Sequence, residues 1–127
     1  MNFDELKEVV KNTYMANYVQ GFKNNDVSLI DAIVKYPLAY IKEGSVEMFE
    51  SYPINPQILK EEIGWDHSID WNFEVTAVND REAHAVASAI RCRKDGSRIE
   101  HVHGFYAFTN TLSGWKIYAV ADTSFLP

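Results

Sequence analysis

Midway along the chain the spacing of apolar residues changes from helical to extended, and that change limits the folds open to it. Phe3, Leu6, Val10, Tyr14, Tyr18 and Phe22 recur at steps of three and four, the period of one helix face. After Asp66 the period becomes two: Ile69, Trp71, Phe73, Val75 and Ala77 alternate with Asp70, Asn72, Glu74 and Thr76. Turn signals at Asn79-Asp80, Asp95-Gly96 and Ser113-Gly114 divide the second half of the chain into strands. Strands are expected over 82–94, 97–111 and 115–124.

Start and stop signals frame three helices in the first half. The first covers 3–23, opened by a capping pattern of Asn2 and Glu5 and ended by Asn24-Asn25. Asp26 caps a second, with Leu29, Ile30, Ile33 and Val34 on its apolar face, and Tyr36-Pro37 ends it. Leu38 to Lys42 reads as a short strand, and 46–56 as irregular. Asn55 and Pro56 open a third helix that Gly64 stops. A meander with an apolar face needs cover, and only the helices can supply it. The expected architecture is α+β, a curved antiparallel meander sheet wrapped around N-terminal helices, in a single domain spanning 1–127.

A chain of 127 residues is long enough to bury one core. Its net charge of -6 repels nucleic acid, and the one basic cluster, Arg91, Arg93, Lys94 and Arg98, reads as a solvated hairpin tip. No nucleic-acid partner is expected. Residues 1–10 lack a basic segment followed by an apolar run, and no apolar stretch approaches the length of a membrane span, so neither a signal peptide nor a membrane partner is expected. Cys92 is the only cysteine, which rules out an internal disulfide and fits a reducing, cytoplasmic setting.

The element order, the run from Met15-Ala16-Asn17-Tyr18 to Asn25-Asp26, and Ser113-Gly114-Trp115-Lys116-Ile117 ahead of the last strand resemble the nuclear-transport-factor-2-like superfamily. Ketosteroid isomerase, scytalone dehydratase and the SnoaL-like polyketide cyclases belong to it. The resemblance implies a cystatin-like cone fold. It implies no single reaction, because the superfamily holds isomerases, dehydratases, ligand carriers and dimerisation modules.

The hairpin signals also predict register. With Asp95-Gly96 as a loop, Ser88 opposes His103 and Ile90 opposes His101. With Ser113-Gly114 as the next, Phe105 opposes Asp122 and His103 opposes Ser124. One face then carries Val86, Ser88, Ile90, His101, His103, Phe105, Tyr118, Val120 and Asp122; the other carries Ala83, Ala85, Ala87, Ala89, Val102, Gly104, Tyr106, Phe108, Trp115 and Ile117. A bulge would exchange the two. Likeness to ketosteroid isomerase turns Val120, Asp122 and Ser124 inward. The Ala-rich face is then the outer one, where a second sheet could pack to form a homodimer.

On this reading His103 and Asp122 form a base and its orienting carboxylate, which also reads as a mutually satisfied polar pair. Tyr18 falls on the tyrosine that resembles the isomerase's oxyanion donor, and it also reads as a core aromatic. Phe105 falls where the isomerase has a protonated acid, and its proton-shuttle position lands among Ile41, Lys42 and Glu43, so that enzyme's route is not expected. Tyr14, Trp71, Phe73, Ser88, His101, Phe105 and Tyr118 are the candidate lining residues, with Trp65 and Tyr40 beside them. His84, His101 and His103 are weighed as metal ligands and set aside; no metal and no cofactor is expected. The functional expectation is a pocket for a small apolar ligand, with cofactor-independent isomerase or lyase chemistry on a carbonyl compound. The alternative is a non-catalytic ligand-binding or dimeric scaffold module.

Overall fold

The computed structural model describes residues 1–125. Helices α1 (Phe3–Thr13), α2 (Gln20–Lys23), α3 (Val27–Asp31) and α4 (Pro56–Ile63) lie against one sheet of strands β1 (Val34–Lys42), β2 (Ser45–Phe49), β3 (His67–Val78), β4 (Glu82–Cys92), β5 (Arg98–Thr111) and β6 (Gly114–Phe125). The sheet order is β2-β1-β6-β5-β4-β3. Among the described residues only β1 and β6 pair in parallel.

The caps act as the sequence signals suggest. Asn2 accepts from the Glu5 amide at 2.9 Å, Asp26 from the Ser28 amide at 3.0 Å and Asn55 from the Ile58 amide at 3.1 Å, each satisfying an otherwise orphaned donor. Pro56 occupies the first turn of α4, and Gly64 ends it at φ 74°. The first helix is not uniform. Between α1 and α2, Tyr14–Val19 forms a π-helical turn, which widens the spiral locally and leaves both Tyr14 and Tyr18 buried. Gly21 lies where a Cβ would come within 2.5 Å of the Ile30 side chain and 2.9 Å of the Asp26 carbonyl oxygen, so only glycine lets α2 and α3 approach this closely.

The expected meander is the larger part of a bigger sheet. The second helix stops at Asp31, and β1 already begins at Val34, which pairs with Ile117 of β6. Residues 46–49, from the stretch 46–56 expected to be irregular, belong to β2. It folds back on β1 through Glu43 and Gly44, whose φ values of 52° and 78° form a tight reversal.

Three bulges decide which side chains face inward. Between β4 and β5 the loop is one residue longer than expected, with Arg93 bonded to Ser97, and Cys92 pairs with Arg98. A shift between Arg91 and Cys92 then restores the expected register, with Ile90 on His101 and Ser88 on His103. In β3 a break at Asp70 (φ 52°) puts Ile69 opposite Ile90 but Phe73 opposite Ala87, so the alternation does not continue from Ile69 into Phe73. The loop between β5 and β6 is Leu112-Ser113 rather than the expected Ser113-Gly114, with Thr111 on Gly114 and Asn110, not Leu112, on Trp115, and in β6 the residue Tyr118 is extra: Phe108 pairs with Ile117, while Ala107 pairs with Ala119. Beyond it Gly104, not Phe105, opposes Asp122, and Thr123, not Ser124, opposes His103.

The consequence corrects the face assignment. The buried core joins Ala83, Ala85, Tyr106, Phe108, Trp115, Ile117 and Val120 with Leu6, Val10, Tyr14, Tyr18 and Ile30 of the helices. The Ala-rich face is therefore the concave one, where small side chains leave room for the helices. The bulge also lets Ile117 and Val120, on opposite faces in an unbroken strand, both turn inward.

Candidate functional site

Between the helices and the concave face lies a cavity of about 460 Å³, inside the usual range for small-molecule pockets. Tyr14, Tyr18 and Phe22 border it from the first helix, Trp65 from just ahead of β3 and Trp71 from within it, Ala87 and Ala89 from β4, and Tyr106 and Asp122 from the strands at its back. Its space exists because β4 and β5 contribute Ala87, Ala89 and Gly104 there, the smallest side chains available. At Gly104 a Cβ would meet the Tyr106 hydroxyl at 3.0 Å, so the missing side chain lets that ring lean back over its own strand.

The floor is a cluster of tyrosines. Tyr14 stacks on Tyr18 at 5.0 Å and on Phe73 at 4.2 Å, and Tyr106 meets both tyrosines edge-on. Such pairs each add about 0.5–1.5 kcal/mol beyond area burial. The Tyr14 hydroxyl donates to that of Tyr106 at 3.2 Å, and the Tyr18 and Tyr52 hydroxyls share a hydrogen bond of 2.6 Å. Burial pushes Tyr14, Tyr18 and Tyr52 well above the ordinary tyrosine range. Burial also raises Tyr106, with hydrogen bonds from Tyr14 and Tyr18 pulling the other way. All four are therefore neutral hydroxyl groups at physiological pH.

A second cavity of about 580 Å³ lies beneath β2 and the end of α4, bordered by Phe49, Pro53, Leu59 and Ile63. The two cavities share Tyr40, Ile54, Arg91 and Asp122. Tyr40 donates to Asp122 Oδ2 at 3.4 Å; burial first and this carboxylate second raise the Tyr40 phenol. Arg91 stacks its guanidinium on Trp65 at 4.4 Å and donates to Glu100 Oε1 at 3.1 Å. Its side chain is only 15% exposed, so this residue of the expected solvated hairpin tip is in fact part of the wall. Lys60 also borders the first cavity, but its ammonium group is used structurally: it donates to the Phe22 and Lys23 carbonyls and to Asn25 Oδ1, tying α4 to the end of α2. Burial lowers its pKa.

Of the residues singled out from the sequence, Tyr14, Tyr18, Trp71 and Asp122 line the cavity, and Phe73 backs Tyr14. Ser88 borders it, although its ladder partner is His103 on the convex side. The structure does not bring His103 to Asp122. His103 is exposed on the convex face, where it stacks on Phe125 at 5.5 Å, and His101 stacks on the same ring at 4.9 Å. Phe105 lies beside His84 on that face, and Tyr118 donates there to Glu82. The bulge at Tyr118 separates these residues from the cavity by reversing side-chain parity between β5 and the end of β6. Among the described residues, no three His, Cys, Asp or Glu side chains gather as a metal site. Among the described residues no helix is long and apolar enough to cross a membrane. Sequence reasoning missed Arg91, Tyr52 and Tyr106. The Ala-Ala-Ala alternation of β4 facing Gly104 was the available signal for a hollow concave side.

A curled sheet closed by N-terminal helices, hollow at its wide end, defines the cone-shaped α+β class. The family described as NTF2-like protein (DUF6841) matches residues 4–124, and the chain belongs to it. Solved structures agree on the fold. An NTF2-like protein from Cytophaga hutchinsonii is 14% identical with a TM-score of 0.67, the match covering 98% of this chain and 100% of that one. A domain of unknown function with a cystatin-like fold from Nostoc punctiforme is 14% identical with a TM-score of 0.69, over 100% of this chain and 81% of the other. A protein from Novosphingobium aromaticivorans, named as a candidate aromatic ring hydroxylase, is 15% identical with a TM-score of 0.64, over 100% and 94% of the two chains. A comparison with curated proteins finds no match.

Proposed function

We propose that the cone binds a small, mainly apolar carbonyl compound and moves a proton on it without a cofactor, as an isomerase or lyase does. The observation that carries this reading is an aromatic-walled cavity with buried neutral tyrosine hydroxyls in its floor and the carboxylate of Asp122 where it meets the second cavity; the other carboxylate on its lining, Asp66, is engaged with His67 at 2.9 Å. Apolar walls supply affinity and the few convergent polar groups fix orientation. Asp122 takes a proton from the carbon next to the carbonyl. The C–H electron pair forms a carbon–carbon double bond, and the carbonyl π pair moves onto oxygen. Return of the proton to another carbon isomerises the compound; loss of a leaving group from the next carbon makes the reaction a lyase. Tyr18 and Tyr106 supply the hydroxyl groups of the floor. His103, on the convex face, has no part in this step.

Trp65 and Trp71 border the cavity and report its occupancy. Titration with the bicyclic ketone β-tetralone is expected to quench tryptophan emission saturably, and Ala89→Phe, which fills the cavity, to remove the response. A linear, non-saturating response in both proteins would leave the pocket reading without support.

A second reading concerns assembly. The convex face carries Val86 at 38% exposure and Phe125 at 52%, with Phe105 between their strands. These apolar side chains, and not the alanines of the opposite face, favour a homodimer through the sheet. Light scattering is expected to give a dimer mass for the wild type and a monomer mass for Val86→Glu. A monomeric wild type at high micromolar concentration would end this reading.

A further inference from the structure

Arg91 is a wall residue whose bonding leaves most of its capacity unused. A guanidinium has five N–H donors. Among the described residues its one hydrogen-bond acceptor is Glu100, and Nε is buried without any partner. Buried side-chain donors in folded proteins are nearly always satisfied, so an arginine left this way has another use. Its position is fixed on two sides, by Trp65 stacked on its plane and by Glu100 at one edge. It borders both cavities where they meet, as does Asp122. The two do not form an ion pair with each other among the described residues; the Arg91 guanidinium is paired with Glu100 instead.

We propose that Arg91 is the oxygen-recognising residue of the site, donating to a neutral carbonyl oxygen of the ligand at the junction of the two cavities. The inference rests on the pocket reading above and names the group that selects its ligand. Charge decides between a carbonyl and a carboxylate. Glu100 already balances the arginine, and Asp122 stands on the same wall, so an anionic head group at the junction would bring a third carboxylate to the one cation that borders both cavities. A neutral oxygen adds no such repulsion and accepts a charge-assisted hydrogen bond. When the α-proton leaves for Asp122, negative charge develops on the oxygen that Arg91 holds, which stabilises it where it forms.

The test compares three compounds of one skeleton by tryptophan quenching: β-tetralone, tetralin (the hydrocarbon) and the tetralin carboxylate. Wild-type protein is expected to bind the ketone about 10- to 100-fold more tightly than the hydrocarbon, the range for a hydrogen bond to a charged group. The carboxylate should bind more weakly than the ketone. Arg91→Met, and Arg91→Met combined with Glu100→Gln so that Glu100 is not left without its partner, should bring ketone affinity down to that of the hydrocarbon, which itself should change little. Arg91→Lys should keep part of the preference. A ketone preference that survives in the double variant overturns the assignment while leaving the pocket reading intact. Loss of ketone and hydrocarbon binding together overturns it as well, because Arg91 would then only shape the wall. A carboxylate that binds best overturns the neutral-oxygen claim. If wild-type protein binds none of the three, the pocket reading fails first and this inference with it.

Discussion

Asp122→Asn is expected to slow the exchange of the α-protons of β-tetralone in heavy water by about 10²- to 10⁴-fold, the usual contribution of a positioned general base. The amide has the shape of the carboxylate and can still accept from Tyr40, which the native residue does at 3.4 Å, so the cavity should keep its form. Ketone affinity, followed by tryptophan quenching, should therefore stay within a few-fold of wild type while exchange collapses. His103→Ala is the matching control. The imidazole is exposed on the convex face and stacked on Phe125, so its removal should leave exchange unchanged. Exchange measured by proton NMR at equal, saturating ketone separates the two variants. Equal exchange in wild type and Asp122→Asn would remove Asp122 as the base; a collapse in His103→Ala alone would return the role to the histidine.

The tyrosine floor makes the fold sensitive to alkali. Burial raises the pKa of Tyr14, Tyr18, Tyr52 and Tyr106 in the folded chain, whereas the unfolded chain ionises them near the ordinary value of about 10. A group whose pKa is raised by folding contributes its full stability below the unfolded value and loses it as pH climbs beyond. Each such tyrosine costs about 1.4 kcal/mol per pH unit in that window, so four together give a slope of about 5–6 kcal/mol per unit. A typical domain has about 5–15 kcal/mol to lose, so unfolding should come within one to three units above pH 10. Urea midpoints followed by circular dichroism should fall steeply above about pH 10. The rise in tyrosinate absorbance from the buried rings should coincide with unfolding. Tyr52→Phe should flatten the slope by about 1.4 kcal/mol per pH unit. Ionisation of all seven tyrosines well before the loss of secondary structure would show that the floor is open to solvent.

Both expectations depend on side-chain parity, and parity is only partly legible in the chain. The inward positions of Tyr14 and Tyr18 follow from helical spacing, because a three- or four-residue step keeps side chains on one face even across the π turn. Family likeness turns Asp122 inward, where the structure has it lining the cavity. The same reasoning misplaces His103, because the hairpin argument counts an unbroken ladder. One unpaired residue, Tyr118, lies between the turn and the site, and a single insertion inverts every later relation between the strands. Asp70 does the same in β3, where Ile69 pairs with Ile90 while Phe73, two pairs further on, faces Tyr14. Neither bulge has a glycine to announce it. Arg91 reads as part of a basic tip because its neighbours in sequence are charged. Only the stacking of Trp65, contributed from ahead of β3, takes it out of solvent.

What the amino-acid order determined by itself is local. The change of hydrophobic period sets helices before strands, Asn2, Asp26 and Asn55 begin the helices, and Gly64 ends the last of them. These interactions span a few residues, so they are complete within a short window of chain. What the tertiary structure decided is non-local: the parallel pairing of β1 with β6, the bulges that turn the alanine face inward, and the meeting of Tyr40, Arg91 and Asp122 from three different strands. Those depend on which surfaces bury the most apolar area once the whole sheet curls, a quantity that no window of sequence contains.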